Sequence, residues 1–124
     1  MGQVSPLGSK KVLIVEDDFL IAQDLRAVMR AAGYAVCGTV ASSAAALRFL
    51  GGDDRPDGVL LDVNLSDRDA SPVARLLATQ GVPFLLVTAY ERQQLPTMLR
   101  DRPCLLKPYS AEALVAMAAR TFVN

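Results

Sequence analysis

The chain has 124 residues, 52% of them hydrophobic, which suits one domain built round one core. Lys and Arg number 13, as do Asp and Glu, so no net field draws nucleic acid or an anionic surface. The absence of histidine excludes a catalytic histidine, a zinc–histidine site and a histidine proton relay. No apolar run approaches the roughly 20 residues that span a bilayer. The first ten residues also lack the apolar stretch of a secretory signal, so a cytoplasmic location without membrane contact is expected.

Residues 1–10 read as a disordered tail and 11–124 as the domain. The run 11–15 is apolar and strand-like, and Glu16, Asp17 and Asp18 follow it at once. Over 19–32, Ile21, Leu25, Val28 and Met29 recur at helical spacing, with Asp18 placed to cap and Gly33 to end the helix. A second strand-like run lies at 35–39, and Ser42 or Ser43 can cap a helix through Leu50, closed by Gly51 and Gly52. The run 58–61 leads into Asp62. A third helix runs from about Ala70 to Gln80, stopped by Gly81 and confined by Pro83. The run 82–87 leads into Thr88. Around 91–100 a helix is weak, because Pro96 removes a donor from its middle. The run 104–106 leads into Lys107 and Pro108, and Ser110 caps a last helix over 111–122. Alternation of this kind predicts an α/β chain of (βα)5 type, a doubly wound five-stranded parallel sheet with helices on both faces.

In a parallel sheet, four of these runs deliver their polar sequels to one edge: the acidic triplet at 16–18, Asp62, Thr88 and Lys107. Carboxylates, a hydroxyl and an ammonium gathered there suit a divalent cation and a phosphoryl group. Singly, each has a plainer reading. Asp17 or Asp18 caps a helix, Asp62 forms a turn, Thr88 is a satisfied hydroxyl and Lys107 a solvated charge. Four in order, each behind its own strand, weigh against those readings taken together. Asp53, Asp54, Asp57, Asp67 and Asp69 read as solvated loop residues, and Arg26 and Arg30 as surface charges. Cys37 and Cys104 lack metal-site spacing and are expected to be small buried apolar residues.

The segments VLIVEDD, VLLDVNLSD, FLLVTAY and LLKPY, in that order, resemble the receiver domain of two-component response regulators over about 11–122. The resemblance implies a flavodoxin-like sheet of order 2-1-3-4-5. It implies Asp62 as phosphoacceptor, supplied by the phosphohistidine of a sensor histidine kinase or histidine phosphotransfer protein. Glu16, Asp17, Asp62 and the backbone carbonyl of Asn64 are the implied Mg2+ ligands. Asp18 is then the cap, although its contiguity with the pair leaves a shared ligand role open. Thr88 and Lys107 are the groups implied to meet phosphoryl oxygens, with the Lys107–Pro108 bond cis. Such a chain acts only on itself and is no enzyme towards other substrates. It switches a surface read by a downstream protein target, and a homodimer stays open. A phosphate sink, or a receiver-like interaction module that takes no phosphoryl group, is the alternative.

Other classes fit less well. A haloacid-dehalogenase-type phosphatase needs a second Asp where Asn64 stands, and a flavodoxin-like flavin binder needs a phosphate loop that the acidic triplet would repel. Within the receiver family, Cys104 occupies a position where many members carry an aromatic switch residue, and the stretch from Thr88 to Lys107 is short. That stretch is similar to a subgroup of bacterial receivers with an altered fourth strand and helix. Tyr90, helped by Tyr109, is the expected replacement reporter, and Asn64 and Tyr90 are expected to tune loss of the phosphoryl group. Phe19, Leu20 and Ala22 are expected to stand beside the site and dock the donor, the plainer alternative being that Phe19 only packs over the loop. With strand order 2-1-3-4-5, Cys37 and Cys104 fall on opposite edges, about four spacings of roughly 4.8 Å apart, too far for a disulfide.

Overall fold

A computed structural model describes residues 9–123. Along the chain run β1 (Lys11–Val15), α1 (Phe19–Ala31), β2 (Ala35–Val40), α2 (Ser43–Leu50), β3 (Gly58–Asp62), α3 (Ser71–Gln80), β4 (Phe84–Thr88), β5 (Cys104–Leu106) and α4 (Ala111–Thr121). The strands form one parallel sheet in the order β2-β1-β3-β4-β5, as the resemblance implied.

Because side chains alternate along a strand, each central strand feeds two cores. Leu13, Val15, Val59, Leu61, Phe84 and Leu86 face α2 and α3, where Leu50, Val73 and Leu77 close the first core. Val12, Ile14, Leu60, Leu85 and Val87 face α1 and α4, where Leu25, Met29, Leu114 and Ala118 close the second. β3 and β4 are buried along their whole length, which is why they read as unbroken apolar runs. In register, Val15 lies opposite Leu61, Asp62 opposite Val87 and Thr88 opposite Leu106. The four polar sequels therefore leave the sheet at one edge.

Local chemistry sets most helix boundaries. Asp18 Oδ1 accepts from the amides of Leu20 and Ile21 at 3.0 and 3.1 Å, and Gly33 takes φ 100° just beyond α1. Of the two candidate serines, Ser42 caps α2, accepting from Ala45 N at 3.0 Å. Ser110 likewise accepts from Ala113 N at the start of α4. α3 begins at Ser71, one residue later than expected, where Asp69 accepts the Ser71 amide at 2.8 Å.

Several expectations need correction. Residues 1–8 of the predicted tail lie outside the described residues, and Lys10 is pinned, its carbonyl accepting from Ala35 N at 2.9 Å. The loop aspartates are exposed but not idle. Asp67 accepts from the amides of Ser43 and Ala44 at 2.9 and 3.0 Å, satisfying two donors at the start of α2 from a loop 23 to 24 residues away. Asp54 pairs with Lys11 Nζ at 2.5 Å, and Asp57 accepts from Lys11 N at 2.7 Å. On α1, Ala22 turns inward, while Ile21 and Val28 are only partly buried. Cys37 and Cys104 are free and half-buried, on the edge strands β2 and β5, and Cys37 is the extra residue of a bulge against β1.

The weak fourth helix is replaced by two 3-10 turns, Arg92–Gln94 and Thr97–Leu99, separated by Leu95 and Pro96. Two arginines fasten this connection. The Arg92 guanidinium donates to the carbonyls of Arg100 and Arg102, and Arg100 donates to the carbonyls of Leu95 and Gln93. Leu95 and Leu99 meanwhile bury completely in the first core. No helix among the described residues is long and apolar enough to cross a membrane.

Candidate functional site

The β1–α1 loop, the end of β3, the end of β4 and the residues after β5 come together at one edge of the sheet. Glu16, Asp62 and Thr88 are 2%, 6% and 1% exposed, burial that polar groups avoid unless they are paired. Here they are. Lys107 Nζ lies 2.8 Å from Glu16 Oε1 and 3.7 Å from Asp62 Oδ2. Glu16 Oε2 accepts from Asp18 N at 3.1 Å, and Asp62 Oδ1 accepts from Asn64 N at 3.3 Å. Thr88 Oγ1 accepts from Tyr90 N at 3.0 Å.

Three carboxylates, Glu16, Asp17 and Asp62, each bring an oxygen within 4.8 Å of the others. One ammonium does not balance three negative groups. Burial, and after it the charge of Glu16, push the Asp62 carboxyl up to about 7, against the opposing pull of Lys107. A hard cation suits such an oxygen donor set and would relieve that repulsion. Asp17 is exposed and leaves the cluster open to solvent on one side.

The structure thus brings Glu16, Asp17, Asp62, Thr88 and Lys107 together, and the Lys107–Pro108 bond is cis. Asp18 caps α1 through Oδ1 and stands outside the cluster formed by Glu16, Asp17 and Asp62. Asn64 is exposed beside Asp62, Tyr90 sits partly exposed two residues beyond Thr88, and Cys104 opens β5. Phe19 and Leu20 project into solvent at 70% and 77% exposure, whereas Ala22 is buried and is not part of that surface. A cleft of about 500 Å³ between α1 and β2 starts beside Glu16 and Asp17 and is lined by Phe19, Ala22 and Val36. Tyr109 points to the α1 side of the sheet, where its hydroxyl donates to Asp24 Oδ2 at 3.0 Å. Asp24 carried no sequence signal, because nothing in a helix surface position announces a partner 85 residues away.

The family model described as the response regulator receiver domain matches residues 12–119. The chain belongs to the response regulator receiver family. Among curated relatives, this receiver is 32% identical over 110 residues to the transcriptional regulatory protein PdtaR of Mycobacterium tuberculosis, covering 86% of the chain and 53% of the relative. It is also 32% identical over 115 residues to the phyllosphere-induced regulator PhyR of Methylorubrum extorquens, covering 87% and 43%. It superposes on the solution structure of SdrG from Sphingomonas melonis with a TM-score of 0.80 at 33% identity, covering 93% of this chain and 98% of that one. The chain spans about half the length of the curated relatives it matches.

Proposed function

We propose that this receiver accepts a phosphoryl group on Asp62 and thereby switches a surface read by another protein. The observation that carries the reading is the placement of Lys107 Nζ between Glu16 and Asp62, beside a cluster of three carboxylates. An Asp62 oxygen attacks phosphorus. The bond from phosphorus to the donor's imidazole nitrogen breaks, its electron pair stays on that nitrogen, and a mixed anhydride remains on Asp62. Glu16, Asp17 and Asp62 would hold Mg2+, with the Asn64 carbonyl the further ligand the resemblance implies. When bound, the ion supplies positive charge against both the nucleophile and the phosphoryl oxygens.

Lys107 exchanges its bond to Glu16 for one to a phosphoryl oxygen, and the Thr88 hydroxyl donates to another. Receiver domains pair with kinases or phosphotransfer proteins, and this chain has no histidine from which to supply itself. On this reading the donor is the phosphohistidine of a sensor histidine kinase or phosphotransfer protein in the cytoplasm. Exposed Phe19 and Leu20 beside the cluster dock it. The reaction changes the chain itself, and no other substrate is turned over. Tyr90, whose amide is held by Thr88, reports the change to the β4–β5 connection, where the arginine-fastened turns take the place of a fourth helix.

Incubation with acetyl phosphate and Mg2+, followed by intact mass, tests the reading. One added phosphate in the unaltered chain and none in Asp62→Asn is expected. An unchanged mass in the unaltered chain would leave a non-phosphorylated interaction module as the better account. Chelating the metal should likewise abolish uptake.

A further inference from the structure

The segment that carries Lys107 is fastened on both sides of that residue. Lys107 N donates to Thr88 O at 2.8 Å, which ties the backbone to the end of β4. Two residues on, the Tyr109 ring packs against the core beneath α1 and α4, and its hydroxyl donates to Asp24 Oδ2 at 3.0 Å. Asp24 belongs to α1, the helix that begins directly after the loop holding Glu16 and Asp17. One hydrogen bond thus joins the segment bearing the ammonium to the helix that carries the acid pair. Burial, and then Asp24, raise the Tyr109 hydroxyl above its ordinary range, so it keeps its proton and stays a donor.

We infer that the Tyr109–Asp24 hydrogen bond is a positioning latch that fixes the backbone from which Lys107 reaches the phosphoryl group on Asp62. The inference rests on the reading of Asp62 as phosphoacceptor. Lys107 Nζ is 3.7 Å from Asp62 and bonded to Glu16, so it must swing through its side-chain torsions to reach a phosphoryl oxygen. A four-carbon side chain loses much rotamer freedom when its tip is ordered, and a loose backbone adds to that loss. Holding the backbone at Thr88 and at Asp24 removes the second contribution before the phosphoryl group arrives. Tyr109 and Asp24 act through Lys107, which makes them positioning residues. This role differs from the reporter role expected of Tyr109 from sequence.

The test compares the unaltered chain with Tyr109→Phe, Asp24→Ala, Asp24→Asn and the double variant Tyr109→Phe/Asp24→Ala. Uptake from acetyl phosphate with Mg2+ is followed by intact mass across donor concentrations. Affinities for Mg2+ alone and for beryllofluoride, a phosphoryl mimic, are measured by calorimetry. Tyr109→Phe and Asp24→Ala should each lower the rate at saturating donor, and weaken beryllofluoride binding, by about fivefold, the net scale of one lost hydrogen bond whose acceptor is exposed to solvent. The double variant should lose no more than either single one. Asp24→Asn, whose amide oxygen still accepts, should retain most of the rate, and Mg2+ affinity should stay within about twofold throughout, because the carboxylates are untouched. Asp24 is exposed, so its variants keep the test valid even where Tyr109→Phe disturbs packing. An unaltered rate in Tyr109→Phe, additive losses in the double variant, or a parallel fall in Mg2+ affinity would each overturn the latch while leaving Asp62 as acceptor. Absence of uptake by the unaltered chain would instead defeat the phosphoacceptor reading, and the latch with it.

Discussion

Lys107 Nζ is bonded to Glu16 at 2.8 Å while Asp62, the proposed acceptor, lies 3.7 Å away. Glu16 is 2% exposed, and its pairing with Lys107 offsets the cost of burying its carboxylate. On the proposed reading the same lysine serves the resting fold and the phosphorylated state in turn. Lys107→Ala should lower unfolding stability by about 1–3 kcal/mol, less than for a wholly buried pair because the lysine side chain keeps 18% exposure. Urea unfolding measures the loss, and phosphoryl uptake should fall in parallel. Lys107→Arg should recover stability better than uptake, since a planar fork does not retrace the swing of a flexible ammonium.

Asp62 is buried beside a like charge. Its folded carboxyl is raised to about 7 from the ordinary 3.8, by burial and then by Glu16. A carboxyl raised on folding binds its proton more tightly in the native state, so native stability falls as pH climbs from about 4 to about 7 and levels off above that. Asp62→Asn lacks that charge. In a chelator it should be more stable than the unaltered chain at pH 8, by on the order of 4 kcal/mol, and the gap should shrink towards pH 4. Denaturant titrations at both pH values check this. A constant gap would mean that the asparagine acts through packing and not through charge.

Asp67 joins the loop after Asp62 to the start of α2 through the amides of Ser43 and Ala44. Those bonds hold its carboxyl below the usual range, with the Ser43 amide the larger cause. A depressed carboxyl contributes stability that is present above its unfolded value and is lost as pH falls through its folded value. Asp67→Ala should therefore weaken α2 at neutral pH, and its difference from the unaltered chain should vanish in acid. Amide exchange gives the local readout, with the Ser43 and Ala44 amides speeding up by about tenfold at neutral pH.

How much of this was legible in the sequence follows from the range of the interactions. β1, β3 and β4 are buried and parallel, so their apolar runs identify them and the residue after each run marks the sheet edge; Glu16, Asp62 and Thr88 were found that way. Caps are local, and Asp18 and Ser110 act within three residues of themselves. By contrast, Asp67 on α2, Asp24 on Tyr109 and Asp54 on Lys11 join positions 23 to 85 residues apart. An exposed aspartate carries no mark of such a partner, so from sequence the loop acids read as merely solvated. The two turns before β5 were half legible. Pro96 forbade a regular helix, but the carbonyl contacts of Arg92 and Arg100 that order the stretch have no sequence pattern.

Gly58, the first residue of β3, shows a packing constraint that the sequence conceals. A Cβ there would lie 2.6 to 2.8 Å from the Phe122 ring, which is 2% exposed and meets Tyr34 edge-on at 6.2 Å between centroids. The ring closes the second core at the end of α4, so it cannot retreat without opening a cavity. Gly58→Ala should therefore cost about 1–3 kcal/mol by overpacking, although alanine suits a strand better than glycine does. Phe122→Leu alone should also destabilise the fold, by loss of buried area. Combined, the two should lose less than the sum of the single effects, because the smaller side chain makes room for the added methyl. Strict additivity in a urea double-mutant cycle would show that the ring yields freely and that close approach of strand and helix is not what glycine provides.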